Sequence, residues 1–234
     1  MKALLLAAGR GNRLRPLTDK TPKPLLPVKS SRLCDWNLAA CLRAGITDIV
    51  MNTAYLSEAF NPIPKEYKAK GLNITLSVEG TKAEDALETL GGIAKALPLL
   101  TDGEEPFLVL AGDIAHNFDL TRFLAKREEI LSRRTDAYLV AVPNPAYHAA
   151  GDMSLAEDGT VVLGAGPYTY GSLMIVTPKI FSNVKPVRAK LFPWLWQFHV
   201  RAELHPGFWS NVGDIHEYEM LTENAEAFRY AKFP

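Results

Sequence analysis

The chain has 234 residues, 26 basic against 26 acidic, and is 47% hydrophobic, enough apolar content for one large core or a core with a small lobe. The balanced charge gives no global attraction to polyanions, so nucleic acid is not an expected partner. No apolar run approaches a membrane span, and the first apolar stretch passes into Gly and Arg instead of a cleavage-like site, so neither a membrane nor a secretory route is expected.

In chain order, residues 2–6 form a short apolar run that predicts a central parallel strand. Residues 33–44 have helical spacing closed by Gly45, and 49–52 and 72–78 read as strands. Cys34 and Cys41, the only cysteines, are expected on one helix about two turns or roughly 10 Å apart, too far for a disulfide. Reduced thiols and a cytoplasmic setting follow. Residues 88–100 predict a helix, 106–110 a strand, 120–131 a helix and 137–142 a strand, the rhythm of a doubly wound α/β sheet. After Pro143 short strands around Ser154, Val161 and 170–176 replace full crossovers, which predicts a mixed sheet with a small lobe. Residues 191–200 and 215–228 read as the last helices.

The segment 5–28, LLAAGRGNRLRPLTDKTPKPLLPV, joins the first strand to a cationic loop. Gly9 and Gly11 lack a Cβ, so the backbone can turn sharply and aim N–H groups at an anion. Arg10, Arg13, Arg15, Lys20 and Lys23 put cations around that concavity, and a triphosphate is the natural guest. Neither the P-loop nor the dinucleotide fingerprint is present. Pro16, Pro22, Pro24 and Pro27 instead keep the loop extended and stiff.

Residues 6–28 throughout, as Leu-Ala-Ala-Gly-x-Gly-x-Arg-Leu-x-Pro-Leu-Thr and then Pro-Lys-Pro-Leu-x-Pro-Val, resemble the signature of the sugar-1-phosphate nucleotidylyltransferases. The resemblance implies a Rossmann-like nucleotide-diphospho-sugar transferase fold. It implies that Ala7, Ala8 and Gly9 meet the nucleoside through backbone atoms, Arg13 the β- and γ-phosphates, and Lys23 the α-phosphate and the sugar phosphate. The strand FLVLAGDI ends at Gly112-Asp113. Ligands of open α/β sheets sit at the carboxyl ends of strands, so Asp113 should face the phosphates of the first loop, and the resemblance makes it a magnesium ligand. Leu-Glu-Thr-x-Gly-Gly-Ile resembles a family block that places Gly91 and Gly92 against the nucleobase, with Glu79 either at the base edge or solvated. Leu90, where relatives often have a small residue, is expected to narrow that pocket.

Later blocks around residues 144–153, 170–176, 189–195 and 208–214 resemble those of bacterial N-acetylmuramate α-1-phosphate uridylyltransferases and short mannose-1-phosphate guanylyltransferase-like proteins. That extends the likeness over nearly the whole chain, with no left-handed β-helix domain expected. By resemblance Asn144, Gly151, Asp152 and Lys190 contact the sugar phosphate; read alone, the first three are turn residues and Lys190 a solvated charge. One domain spanning 1–234 is expected, with a nucleotide part (1–142) and a sugar-phosphate part with the C-terminal helices (143–234). One departure stands out. The second metal carboxylate of the family is Asn211 here, a weaker magnesium ligand, and Asp214 either compensates or, as favoured, caps the final helix.

The function implied is transfer of a nucleotidyl group from a nucleoside triphosphate to a sugar 1-phosphate, with UTP and N-acetylmuramate α-1-phosphate first among the pairs, for cell-wall recycling. Two alternatives stand beside it. GTP with mannose 1-phosphate, or UTP or dTTP with glucose 1-phosphate, is a different pair; a nucleotide-binding regulator with impaired catalysis is a different class, suggested by Asn211. Oligomeric state is not legible in the sequence.

Overall fold

The computed structural model describes residues 1–234. Its first half contains β1 (Ala3–Leu6), β2 (Pro27–Val28), β3 (Ser31–Arg32), α1 (Asp35–Arg43), β4 (Asp48–Thr53), α2 (Ile63–Lys68), β5 (Asn73–Val78), α3 (Glu88–Leu100) and β6 (Phe107–Ala111). Then come β7 (Ile114–His116), α4 (Thr121–Leu131), β8 (Ala137–Pro143), β9 (Met153–Leu155), β10 (Val161–Leu163), β11 (Tyr168–Val176), β12 (Val200–Leu204), β13 (Trp209–Asn211), α5 (Ile215–Glu223) and α6 (Phe228–Ala231).

Because β1 is apolar on both faces it takes a central place, parallel to β4 on one side and to β6 on the other. β5 continues the parallel half beyond β4. β11 runs antiparallel to both β6 and β8, β12 lies parallel to β8, and β9 with β10 branches from the start of β11. The nine-stranded mixed sheet therefore takes strands from both sides of residue 142. Side-chain alternation gives it two cores. Ala3, Leu5, Ile49, Met51, Leu108 and Leu110 pack with residues of α1, α2 and α4. Leu4, Val50 and Val109 pack on the opposite face with Leu90, Ile93 and Ala96 of α3. This is the doubly wound arrangement expected from the alternating strands and helices.

A third core lies off the sheet and was not foreseen. Leu14, Leu26 and Val28 of the cationic loop are buried with Trp36, Val212, Leu221 and Phe228, so the C-terminal helices hold the loop from behind. Trp36 Nε1 donates to the Ala227 carbonyl at 3.0 Å, and the Tyr218 hydroxyl donates to the Pro27 carbonyl.

Two predicted helices need correction. Residues 191–200 form only a short 3₁₀ turn at Trp194–Gln197 before β12 begins at Val200; Pro193 disfavours helix at the residue before it. Residues 215–228 split at Asn224, whose side chain accepts from the Ala227 N–H and starts α6 afresh. Asp214 caps α5 by accepting from the Glu217 N–H at 3.0 Å. Cys34 sits just before α1 and Cys41 within it; both are free and buried, and burial pushes each thiol up to about 12. No helix is long and apolar enough to cross a membrane.

His116 on β7 is fully buried, and burial, with His205 and Arg43 adding, pushes its pKa down to about 3. The unfolded chain binds a proton at this ring below about pH 6.5 and the folded chain does not, so stability is complete above pH 6.5 and falls as the pH drops toward 3. The contribution lost by pH 5 is about 2 kcal/mol. Thermal unfolding at pH 7 and pH 5 should show this fall, and His116→Gln should have a smaller one.

Candidate active site

The loop after β1 is built on its own contacts. Gly11 sits at φ +68, where a Cβ would stand 3.0 Å from Thr18 Cγ2 and 3.1 Å from Lys23 Cβ, so a side chain there is excluded both by backbone conformation and by space. The buried Thr18 hydroxyl closes the ring by donating to the Gly11 carbonyl at 2.9 Å. A Cβ on Gly9 would meet open space. The cations divide by partner. Arg10 and Arg15 both donate to Asp19, at 2.9 and 2.8 Å, and Arg10 lies 3.9 Å over the Tyr55 ring. Those two therefore stiffen the loop. Arg13 lies against the backbone of Gly213, where a Cβ would be 3.0 Å from Nη2.

Lys23 reaches across to the end of β6 and donates to Asp113 Oδ2 at 2.5 Å. Asp113 is the turn residue between β6 and β7, and its carbonyl accepts from the Val212 N–H at 3.2 Å. Asn211 stands opposite Ile114 in the β7–β13 pair, which puts it beside Asp113, the residue just before β7. Both offer hard oxygen donors, and no group of three or more His, Cys, Asp or Glu residues forms a closed cage. A magnesium site built from one or two protein oxygens plus phosphates and waters needs no such cage. Tyr147 was passed over in the sequence. Its hydroxyl lies against the Asn211 side chain, and its pKa is raised, by partial burial first and then by the Glu217 charge, while Asn211 and Arg13 oppose the rise.

Over the C-terminal ends of β1 and β6 lies a cleft in two compartments. The larger, about 650 Å³, is lined by Ala7, Ala8, Gly9, Lys23, Asn52 and Asp113 among others. The smaller, about 300 Å³, is lined by Tyr170, Ser172, Lys190 and Phe192. They share Leu6, Glu88, Thr89 and Ala111. Glu88 and Ser172 hold φ of +59 and +60, and Glu88 pairs with Arg188 at 3.2 Å. Non-glycine residues rarely adopt that conformation, and both of these border the cleft. A larger cavity of about 1020 Å³, between the ends of α3 and α4, holds none of the predicted residues.

Asn144, Gly151 and Asp152 use their groups on protein. Asn144 Nδ2 donates to the carbonyls of Ala149 and Gly166, and its Oδ1 accepts from the Thr169 hydroxyl. Gly151, at φ +63, is packed against the Gly166 carbonyl. Asp152 accepts from the Tyr170 N–H at 2.9 Å and meets His148 Nε2 at 2.9 Å. Together they fix the turn that carries Tyr147.

Gly91 and Gly92 lie inside α3 and are buried. A Cβ on Gly91 would overlap the Val187 carbonyl, and one on Gly92 would stand 2.6 Å from Glu79 Oε1 and 2.9 Å from Asn52 Nδ2. Leu90 is in the core under α3 and does not line the cleft, so it cannot narrow the pocket as expected. Glu79 is half-buried and its carboxylate is engaged by protein. It accepts from Asn52 Nδ2 at 2.6 Å and from the Leu87 N–H at 2.7 Å, while Asn52 Oδ1 accepts from the Ala7 N–H at 2.8 Å. This chain of bonds ties the loop backbone to the start of α3. Its signal in the sequence, a polar Asn within an apolar strand, was there to be read.

Residues 2–163 match the family model described as "Nucleotidyl transferase". The chain is 40% identical to the N-acetylmuramate alpha-1-phosphate uridylyltransferase of Neisseria meningitidis over 223 residues, covering 92% of this chain and 94% of that one. It is 34% identical to the Danio rerio mannose-1-phosphate guanylyltransferase catalytic subunit beta over 93% of this chain and 62% of that protein. Among solved structures, a putative glucose-1-phosphate thymidylyltransferase from Bacillus anthracis superposes with a TM-score of 0.78 over 95% of this chain and 94% of that one, at 17% identity. At that identity the likeness speaks for the fold.

Asn52→Leu removes the acceptor for the Ala7 N–H and leaves Glu79 with the Leu87 N–H alone. Affinity for a nucleoside triphosphate should drop about tenfold, the worth of one well-placed hydrogen bond. Calorimetric titration measures it, and an unchanged affinity would mean that Ala7 keeps its place without Asn52.

Proposed function

This chain belongs to the sugar-1-phosphate nucleotidylyltransferase family and moves a nucleotidyl group from a nucleoside triphosphate to a sugar 1-phosphate, and we propose that its pair is UTP and N-acetylmuramate α-1-phosphate. The products are then UDP-N-acetylmuramate and pyrophosphate, in peptidoglycan recycling, within the cytoplasm. The supporting observation is the co-extensive match at 40% identity; the mannose relative is longer and this chain covers 62% of it. Within the single domain we assign residues 1–142 to the nucleotide and 143–234 to the sugar phosphate and the C-terminal helices.

The attacking oxygen of a sugar phosphate is already anionic, so no general base is needed. What the protein supplies is in-line alignment at the α-phosphorus and relief of repulsion between anions. The backbone of Ala7, Ala8, Gly9 and Gly11 holds the nucleotide, with Arg13 at the outer phosphates. Lys23 serves the α-phosphate, where incoming oxygens compete with Asp113 for its ammonium. Lys190, in the smaller compartment, faces the sugar phosphate. Asn144, Gly151 and Asp152 shape the turn beside it, and Gly91 and Gly92 let α3 approach the Asn52–Glu79 bonds under the base. The family uses a divalent metal, and Asp113 with Asn211 would hold it here. When bound, magnesium neutralises phosphate charge and orients the pyrophosphate leaving group. Asn211 brings an amide oxygen where a carboxylate would bring a charge, so the metal is held more weakly.

A panel of nucleoside triphosphates crossed with sugar 1-phosphates, read by pyrophosphate release, tests the pair. UTP with N-acetylmuramate α-1-phosphate should exceed every other combination by about tenfold or more in kcat/KM; faster turnover of GTP with mannose 1-phosphate would overturn the assignment. Asn211→Asp should lower the magnesium concentration for half-maximal rate by several-fold, about 1 kcal/mol of added attraction, and an unchanged magnesium dependence would remove Asn211 from the metal site.

A further inference from the structure

We propose that Asn37 and His116, neither of which lines the cleft, are positioning residues that hold the Gly112–Asp113 turn so that the Asp113 carboxylate faces Lys23 and the phosphates. Asn37 lies on α1 and is fully buried. Its Nδ2 donates to the carbonyls of Ala111 and Ile114, each at 3.0 Å. Those two carbonyls flank Gly112 and Asp113, so one side-chain amide bridges both ends of the turn. Asn37 Oδ1 lies 3.2 Å from His116 Nε2. The Phe118 N–H donates to His116 Nδ1 at 3.1 Å, which makes Nδ1 an acceptor and leaves the ring proton on Nε2. The bonds therefore run one way, from the Phe118 N–H through the ring to Asn37 and on to the two carbonyls.

The other sides of the turn are held too. The Gly112 N–H donates to the Leu6 carbonyl at 2.9 Å, and a Cβ on Gly112 would stand 2.7 Å from that oxygen. The Val212 N–H, just past the end of β13, donates to the Asp113 carbonyl. Those bonds fix Gly112 and Asp113 themselves, whereas Asn37 sets the peptide planes on either side. Few side chains can do this. Aspartate would place a carboxylate against two carbonyl oxygens, and leucine would leave the buried Ile114 carbonyl and the part-buried Ala111 carbonyl without that donor.

The inference rests on the assignment of Asp113 to the phosphate and metal end of the cleft, which Asp113→Asn checks separately. The test compares Asn37→Leu, His116→Leu and His116→Gln with the parent, measuring kcat, both KM values, the thermal midpoint, and Mn²⁺ affinity by electron paramagnetic resonance with UTP present and sugar phosphate omitted. Asn37→Leu should lower kcat about 30-fold and weaken Mn²⁺ about tenfold, with both KM values within about threefold of the parent, the scale seen when a ligand's orienting partner is removed. His116→Leu should lose in the same direction. His116→Gln, whose amide can donate from the place of Nε2, should stay within about threefold of the parent. A variant Asn37→Leu that melts earlier yet keeps kcat and Mn²⁺ affinity at the assay temperature would reduce Asn37 to a packing role and overturn the proposal. Should Asn37→Leu fail to fold, the two His116 variants decide: equal behaviour in both overturns it. If Asp113→Asn retains full activity, the assignment of Asp113 fails, and the positioning role with it.

Discussion

An ammonium and a carboxylate from positions ninety residues apart meet at 2.5 Å over the C-terminal edge of the sheet, and the surrounding architecture is arranged around that meeting. Lys23 arrives on a loop whose only regular structure is three short 3₁₀ turns, the last of them beginning at Lys23 itself. It needs Gly11 turned back on Thr18, the Asp19 pairs with Arg10 and Arg15, and a separate apolar core behind. Asp113 arrives at the end of a central strand and needs its turn clamped from β1, α1 and β13. Opposite charges at this spacing attract strongly only where water is partly displaced. Lys23 is nearly enclosed, with 11% of its side chain exposed, and Asp113 is about one-third exposed. The pair is thus stable yet open to exchange with an anion of higher charge.

How much of this was legible follows the reach of each interaction along the chain. The loop could be read because its glycines, prolines and cations act on near neighbours. Asp113 could be read because a strand followed by Gly-Asp reports its own place at the sheet edge. Asn144 and Asp152 mark the limit of local pattern. A turn residue and a ligand residue have the same local spelling, and only the positions of Gly166, Thr169 and Tyr170, brought close by β11, reveal that their polar atoms are occupied by protein. Glu79 misled for the same reason, since its partners Asn52 and Leu87 lie on other elements. The short strands β7 and β13 carry too few residues for a period to appear, and Pro193 outweighed the helical spacing of its neighbours.

The cleft also shows a division of labour within one sheet. Its larger compartment rests on the parallel strands β1 and β6, while the smaller borders β11, the strand antiparallel to both its main neighbours. The pairing of β11 with β8 is interrupted between Tyr170 and Met174, where Ser172 takes its left-handed conformation and the Gly171 carbonyl accepts from Trp209 Nε1 at 2.9 Å. A break of this kind bends the strand and re-aims its side chains. Here the break falls at Tyr170 and Ser172, two residues that line the smaller compartment.

The core behind the loop has a bearing on synthesis. Leu14, Leu26 and Val28 precede their partners Val212, Leu221, Phe228 and Ala231 by roughly 200 residues along the chain. Contacts so distant along the chain form late and slowly. The parallel strands can assemble early, but the loop receives its backing only when α5 and α6 have emerged. A nascent chain would thus acquire its parallel strands before its binding site, which gains its backing only once α5 and α6 have been made.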